Sequence, residues 1–320
     1  MINVLVMAPC EENQKQMLEN SSNVFSFTYT NKDDPDLQSK IDKAEIIVGQ
    51  PRKQYLKNVP NLKLIQMTMA GTDKYTMHEG FPEHVTLCNA SGAFGHIISQ
   101  YVIGGILNIC HNFHRYRDNQ RNNLWKDLGC EMNLTGKRAL VIGTGNIGSN
   151  VAERLSHFGV EIVGIRRKVS DVPSPFKEMH TLDELNEQLP LADIVIGCIP
   201  NSDYTYHLFD KEKFGLMKEG SIFINVGRGS FTVQQDLAEA LNSGHLRGAV
   251  IDVMAPEPLP ADNPLWSVEN LVITPHISGS SFGHLPEITN KIYEIAADNL
   301  KSYAEGRPLK NVIDISSFRK

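Results

Sequence analysis

The chain has 320 residues, of which 41% are hydrophobic and 21% are charged, a composition typical of a globular protein with about two domains. Its net charge of -6 argues against a general nucleic-acid-binding surface, for which a basic excess is expected. No apolar run reaches the roughly 18 residues that a membrane span needs, and the five scattered cysteines lack metal-ligand spacing. We therefore expect a cytoplasmic protein that has no metal site and binds neither nucleic acid nor membrane.

The N-terminal third of the chain alternates between strand and helix patterns. We predict strands at residues 4–6, 45–49 and 62–67, with helical segments between them. Strands separated by helices are typical of parallel βαβ units. An apolar segment at residues 97–113 then predicts a helix, and Gly104 and Gly105 within it indicate close packing against another element, plausibly a second subunit.

The middle of the chain is a second α/β series of short apolar runs. Near-continuous hydrophobicity is typical of a strand buried on both faces of a sheet. We predict strands at residues 138–142, 160–165, 194–197, 221–225, 248–252 and 271–274. A last helix is predicted at residues 286–304. These patterns predict a dinucleotide-binding domain at residues 95–284, inserted into a substrate domain made of residues 1–94 and 285–320.

A glycine-rich turn lies between the first strand of the second series and the helix that follows it. Gly143 permits a tight turn, Gly145 lets the backbone approach a pyrophosphate, and Gly148 allows close packing of helix on strand. Asn146 and Ile147 open the helix, whose N-terminal N–H groups and dipole attract phosphate. This context favours a dinucleotide site over a purely structural strand–turn–helix.

The next strand ends in a basic sequence, Ile165-Arg166-Arg167-Lys168, where NAD-binding proteins normally carry an acidic residue for the ribose 2′-hydroxyl. A guanidinium suits the bidentate geometry of a 2′-phosphate. We therefore expect NADP(H) to be favoured. The alternative is an exposed basic turn with relaxed cofactor preference, in which case NAD(H) also serves.

Three further residues have the chemistry that reduction of a 2-keto acid requires. Arg228 lies in a Gly-Arg-Gly turn after a strand and can bind a carboxylate and polarise a carbonyl oxygen. His276 ends another strand, and imidazole is a general acid suited to neutral pH. If Glu257 reaches the far nitrogen of His276, it fixes the tautomer and favours the protonated ring. The alternatives are an ion-paired surface arginine and a structural histidine.

The turn at Ala70 and Gly71 also follows a predicted strand. Its backbone N–H groups can bind an anionic substrate. An ordinary turn explains these residues nearly as well.

Together these motifs resemble the D-isomer-specific 2-hydroxyacid dehydrogenase family over essentially the whole chain. The resemblance implies an α/β fold of two Rossmann-like lobes with doubly wound parallel sheets, in which the cofactor domain is inserted into a flavodoxin-like substrate domain. It implies NAD(P)-dependent reduction of a small 2-keto acid, with Arg228, Glu257 and His276 catalytic and Arg228 and His276 also in contact with the substrate. It further implies a homodimer joined through the cofactor domains.

The resemblance also implies additional cofactor contacts. Asp252 would face the nicotinamide amide, and other residues would line the cofactor: Pro200, Thr205, Val226 and Gly279.

Departures from the family pattern bear on the substrate. Gly49 stands where phosphoglycerate dehydrogenases tend to carry arginine, although Arg52 could take that role, and Glu257 argues against formate. Glyoxylate, hydroxypyruvate or a bulkier keto acid is expected. The alternatives are a phosphoglycerate-type dehydrogenase and a dinucleotide-sensing binding protein similar to the C-terminal-binding-protein corepressors.

Overall fold

The computed structural model describes residues 1–77, 80–280 and 282–318. The chain divides into two compact units. Unit 1 combines Met1–Phe94 with Ser280–Lys320, and unit 2 is the continuous segment Gly95–Gly279 inserted between them.

Unit 1 contains a five-stranded parallel sheet. In chain order its elements are β1 Ile2–Val6, α1 Glu12–Glu19, β2 Phe25–Tyr29, α2 Leu37–Lys43, β3 Ile46–Val48, β4 Leu64–Gln66, α3 Asp73–Thr76 and β5 Thr86–Cys88. The strand order is β2-β1-β3-β4-β5, with every pair parallel. This is the flavodoxin-like doubly wound order.

Unit 2 contains a seven-stranded sheet. Its elements are α4 Gly95–Cys110, α5 Phe113–Arg121, β6 Arg138–Ile142, α6 Asn146–Ser156, β7 Glu161–Ile165, β8 Glu178–His180, α7 Leu185–Gln188, β9 Ile194–Gly197, α8 Lys211–Leu216, β10 Ser221–Asn225, α9 Gln234–Asn242, β11 Leu246–Ile251 and β12 Leu271–Ile273. The strand order is β12-β11-β10-β9-β6-β7-β8, again all parallel. The chain then returns to unit 1 with α10, Pro286–Ala304.

Both sheets are buried between helices because their strands are apolar on both sides. In unit 1, α1 and α10 cover one face with Leu18, Tyr293 and Leu300, while α2 covers the other with Leu37 and Ile41. In unit 2, one face packs into a cluster of four buried phenylalanines and α9. These are Phe209, Phe214, Phe223 and Phe231. The predicted fold of two doubly wound parallel sheets is confirmed.

The helix predicted at residues 97–113 is α4, which begins and ends earlier than expected. It ends at Cys110, and α5 begins after Asn112, whose left-handed backbone (φ 55°) breaks the helical run. Gly105 packs against β11 of the same unit, since a Cβ there would lie 3.1 Å from Val250 Cγ1. Gly104 is exposed, and a Cβ at that position would meet no atom of the described residues within 4 Å.

Candidate active site

The predicted cofactor and catalytic residues of unit 2 all follow the carboxyl ends of strands of one parallel sheet. Gly143 follows β6, Arg166 follows β7, and Arg228 comes three residues after β10. Asp252 follows β11 and His276 lies shortly after β12. Because parallel strands end at the same edge, these five positions share the edge at which open α/β sheets bind their ligands.

The glycine turn after β6 leads directly into α6. Gly143 has a φ of 94°, a conformation that favours glycine. A Cβ on Gly148 would lie 2.0 Å from the carbonyl oxygen of Gly143, so only glycine lets the helix approach the turn. Gly145 is the N-cap and has open space beside it, and the N–H groups of Asn146 and Ile147 open the helix. The first N–H groups of a helix have no acceptor within the helix and are available to an anion.

The basic sequence after β7 lies at the surface. The backbone N–H of Arg166 donates to the carbonyl of His180 in β8, which fixes the start of the turn. Arg166 Nη1 lies 3.3 Å from Asp171 Oδ1, and both side chains are accessible, at 35% and 65% exposure. Arg167 is also exposed. An exposed ion pair of this kind contributes about 0–1 kcal/mol, so an incoming phosphate can displace Asp171 at small cost.

The loop after β9 is closed by its own threonine. The hydroxyl of Thr205 donates to the carbonyl of Pro200 at 2.9 Å and accepts from the N–H of Ser202 at 2.9 Å. Asn201 Oδ1 in the same loop is buried without a hydrogen-bond partner among the described residues. An unpaired buried acceptor is a feature of a ligand site as well as of a strained loop.

Arg228 is held by the turn that follows β10. The buried Asn225 clamps this turn, because its Oδ1 accepts from the N–H of Gly227 and its Nδ2 donates to the carbonyl of Arg228. Val226 is buried below it, with its N–H donating to the carbonyl of Gly197. Sequence reasoning did not assign Asn225 a role. The available signal is an asparagine before a glycine turn, a residue type that often hydrogen-bonds the backbone two residues on.

His276 and Glu257 form a hydrogen-bonded pair. Nδ1 of His276 lies 2.9 Å from Oε2 of Glu257, and the side chains are 50% and 40% exposed. The other carboxylate oxygen of Glu257 accepts from the N–H of Met254 at 2.9 Å, which fixes its orientation. Nε2 of His276 has no hydrogen-bond partner in the part of the chain that the structure describes. A ring held at Nδ1 by a carboxylate presents Nε2 as the atom that exchanges a proton with a ligand.

Asp252 is buried beneath this pair, at 1% exposure. Its carboxylate accepts from the N–H groups of Ile277 and Ser278, at 2.8 and 2.9 Å. Gly279 follows Ser278 in the same loop. The acid therefore organises the segment after β12, which carries His276.

In unit 1, the Ala70–Gly71 turn follows β4 and is held by Asn89. Asn89 Nδ2 donates to the carbonyl of Ala70 at 2.7 Å, and the N–H of Ala90 donates to the carbonyl of Met69. Because the carbonyls of Met69 and Ala70 already accept hydrogen bonds, the backbone N–H groups are the polar groups that this turn can offer to a ligand.

The described residues contain no cluster of three or more histidine, cysteine, aspartate or glutamate side chains that would hold a metal ion. Within the same residues, no helix combines the length and apolarity that crossing a membrane requires.

Known proteins share both the sequence pattern and the fold. A family model described as D-isomer specific 2-hydroxyacid dehydrogenase, NAD binding domain, matches residues 103–278. The solved structure of a D-isomer specific 2-hydroxyacid dehydrogenase family protein from Aeromonas salmonicida is 32% identical, covers 98% of this chain and 99% of its own, and has a TM-score of 0.85.

Curated relatives with named activities include a reductase and a dehydrogenase. A glyoxylate reductase from Thermofilum pendens is 31% identical over 77% of this chain and 73% of its own length. A D-3-phosphoglycerate dehydrogenase from Methanocaldococcus jannaschii is 27% identical over 99% of this chain, which spans only 60% of that protein.

The matched segment contains the glycine turn, Arg228 and the His276–Glu257 pair. It covers more than half of the chain, and the likeness to the Aeromonas structure extends over both units. The chain therefore belongs to the D-isomer-specific 2-hydroxyacid dehydrogenase family, a family of NAD(P)-dependent oxidoreductases.

Proposed function

We propose that this protein is an NADPH-preferring reductase of a small 2-keto acid, with catalysis by Arg228, Glu257 and His276. The observation that carries the proposal is the hydrogen-bonded His276–Glu257 pair, at the sheet edge where α6 presents its N-terminus. A bound dinucleotide would supply the hydride. The residues of this chain bind the acid, polarise its carbonyl and deliver the proton.

In this proposal His276 donates a proton from Nε2 to the carbonyl oxygen as the hydride arrives at the carbon. Glu257 keeps Nδ1 protonated and the ring in one orientation through the 2.9 Å contact. Arg228 binds the substrate carboxylate and the carbonyl oxygen, because a guanidinium presents paired donors. In unit 1, the Ala70–Gly71 turn is proposed as a second substrate-binding element, through its backbone N–H groups. Unit 1 is thus the substrate domain and unit 2 the dinucleotide-binding domain.

The residues after β6 and β7 fit a phosphorylated dinucleotide. The open space at Gly145 and the N–H groups of Asn146 and Ile147 suit a pyrophosphate. Arg166 and Arg167 would hold the 2′-phosphate, with Asp171 displaced. Further cofactor contacts are proposed at Gly143, Gly148, Pro200, Thr205, Val226, Asp252 and Gly279.

The proposed substrates are glyoxylate, hydroxypyruvate and bulkier keto acids. The likeness to the Thermofilum glyoxylate reductase supports the small members of this group. Phosphoglycerate is less favoured, because Gly49 offers no cation for a phosphate. Its φ of 138° and the 2.9 Å approach of a Cβ to Met7 also exclude a larger residue there.

We also propose a homodimer joined through unit 2. Helix α5 buries none of its residues, and Phe113 and Trp125 are 59% and 104% exposed. A groove near α4 and α6 has an apolar wall that includes Ile103 and Leu107. Exposed apolar surface of this kind marks an interface, so analytical ultracentrifugation should give twice the chain mass of 35.7 kDa.

A reducing cytoplasm fits the five free cysteines.

The test is to assay a panel of keto acids with NADPH and with NADH. Turnover is measured as the loss of absorbance of the reduced nicotinamide. We expect turnover of glyoxylate, hydroxypyruvate or a bulkier keto acid, and a higher kcat/KM with NADPH. His276→Ala should lower kcat by about 10²–10⁴-fold, the usual contribution of a general acid, with cofactor Kd unchanged. The matched control is His245→Ala, since His245 precedes β11 at the opposite edge of the sheet.

Two outcomes would contradict the proposal. Tight NADPH binding without turnover of any keto acid would favour the dinucleotide-sensing alternative. Loss of cofactor affinity with retained turnover in the His276 variant would show that the ring does not act as the acid.

A further inference from the structure

A partly buried hydrogen-bond chain supports the loop that carries His276. Oδ1 of Asp252 accepts from the hydroxyl of Thr274 at 2.6 Å, in addition to the N–H of Ile277 at 2.8 Å. The hydroxyl of Thr274 in turn lies 2.6 Å from the phenol oxygen of Tyr101 in α4. The chain thus joins α4 to the ends of β11 and β12, across 173 residues of sequence.

The direction of these hydrogen bonds follows from the chemistry of their atoms. An ionised carboxylate only accepts, so the Thr274 proton points to Asp252. The lone pairs of the Thr274 oxygen then face Tyr101, which must donate. Burial raises the pKa of Tyr101 to about 12, so its hydroxyl stays protonated near neutral pH. The Tyr101 hydroxyl therefore donates to Thr274, and the Thr274 hydroxyl donates to Asp252.

The hydrogen-bond chain contacts the loop on both sides of His276. Thr274 precedes the histidine, and the Asp252 carboxylate accepts from the two N–H groups that follow it. The N–H of His276 donates to the carbonyls of Asp252 and Thr274, at 2.8 and 3.0 Å. His276 itself has a φ of 55°, a left-handed conformation that costs about 1 kcal/mol or more for a residue with a side chain. Such a conformation persists only where surrounding contacts enforce it. Here these contacts are the backbone hydrogen bonds to Asp252 and Thr274, the ring contact with Glu257, and the hydrogen bonds of the Asp252 carboxylate to the two N–H groups that follow His276.

We propose that Tyr101 and Thr274 are positioning residues for the proton donor. They act through Asp252 to hold the His276 backbone, so that the imidazole meets both Glu257 and the substrate carbonyl. This inference rests on the proposed role of His276 as the general acid. Neither residue touches the reacting atoms, and their effect is on the placement of the ring.

The experiment compares three single variants and one double variant of the full-length protein. Thr274→Val removes the hydroxyl and keeps the shape, Thr274→Ser keeps the hydroxyl, and Tyr101→Phe removes the outer donor alone. The matched control is Tyr303→Phe, which removes a phenol from α10 in unit 1. Each variant is measured for kcat, NADPH Kd, the solvent deuterium isotope effect on kcat and thermal unfolding.

We expect kcat to fall by about ten- to a hundredfold in Thr274→Val, as for misplacement of a catalytic group by about 1 Å. The fall should be smaller in Tyr101→Phe, with NADPH Kd unchanged in both. The solvent isotope effect should rise, because proton transfer becomes slower than the other steps. Thr274→Ser should recover most of the activity. The Tyr101→Phe/Thr274→Val double variant should be no slower than Thr274→Val, since residues that act as a unit are non-additive.

Two results would overturn the inference while leaving the proposed function in place. One is an unchanged kcat in both Tyr101→Phe and Thr274→Val, alongside an inactive His276→Ala. The other is a kcat loss matched by an equal loss of NADPH affinity, with no change in the isotope effect. If Thr274→Val fails to fold, Tyr101→Phe decides by the same criteria. A wild-type protein without keto-acid turnover would overturn both proposals.

Discussion

Replacing Glu257 with glutamine isolates what its charge contributes to catalysis. The carboxylate uses one oxygen for His276 Nδ1 and the other for the N–H of Met254, each at 2.9 Å. Glutamine has nearly the same shape but only one acceptor oxygen. If that oxygen stays on Met254, the NH₂ group faces the Nδ1–H of a protonated ring, and two donors meet. If the amide rotates, the Met254 hydrogen bond is lost instead.

The size of the effect follows from the exposure of the pair. A hydrogen bond to a charged group contributes about 1.5–3 kcal/mol. His276 and Glu257 are 50% and 40% exposed, so solvent screens the interaction and the lower end of the range applies. Since about 1.4 kcal/mol is a factor of ten in rate, we expect Glu257→Gln to lower kcat about tenfold. The free energy of unfolding should change by less than about 1 kcal/mol, as for other accessible ion pairs.

The assay is steady-state reduction of a keto acid, combined with NADPH binding by fluorescence. The control is Glu269→Gln, because Glu269 is 83% exposed and its Arg115 contact is long, at 3.7 Å. An equal kcat in wild type and Glu257→Gln would refute the reasoning, since the carboxylate would then add nothing to proton delivery. A loss that appears only in NADPH Kd would refute it as well.

Three further predictions address cofactor choice, packing and pH. Arg166→Asp should reverse the preference between NADPH and NADH, lowering the kcat/KM ratio at least about tenfold through loss of a charge-assisted phosphate contact. Gly148→Ala should weaken dinucleotide binding and destabilise unit 2 by about 1–3 kcal/mol, because its Cβ would lie 2.0 Å from the Gly143 carbonyl oxygen. The hydrogen bond to Glu184 raises the pKa of His180, so the protonated ring stabilises the fold. His180→Asn should lower the free energy of unfolding most below about pH 6.5. This loss should disappear as the pH rises through the raised pKa of His180.

Each of these three has a result that contradicts it. An unchanged cofactor ratio would remove the phosphate role of Arg166. Equal dinucleotide affinity in wild type and Gly148→Ala would show that the turn relaxes without cost. Gly215→Ala is the control, since no atom of the described residues lies within 4 Å of its Cβ position. A stability difference for His180→Asn that grows with pH would mean that the neutral ring is the stabilising form.

The sequence predicted the elements whose residues are buried on both faces. Strands β6, β7, β9, β10 and β11 were all recognised, because a run of apolar residues is the local consequence of burial between helices. Strands β2, β5 and β8 were not predicted, and each lies at an edge of its sheet. Polar residues interrupt all three, so they lack a continuous apolar run and their pairing depends on the neighbouring strand.

The candidate site also has one part that the local sequence predicts and another that only the fold brings together. The glycine turn, Arg228 and the His276–Glu257 pair were recognisable because each motif follows a strand end, and strand ends can be read locally. The partners of Asp252 could not be predicted. Thr274 lies 22 residues after Asp252, and Tyr101, which bonds to Thr274, lies 173 residues before it. Only the folded sheet brings these residues together.

One close contact packs the turn that carries Arg228 against the loop that follows β11. A Cβ on Gly229 would lie 1.9 Å from the backbone carbon of Met254. The turn that carries Arg228 therefore rests directly on the loop whose Met254 N–H holds Glu257. Any side chain at this glycine would push the two loops apart and separate Arg228, the proposed substrate anchor, from Glu257, the proposed support of the proton donor. Gly229 thus sets the distance between the loops that follow β10 and β11. The preference of glycine for turns does not by itself reveal this constraint.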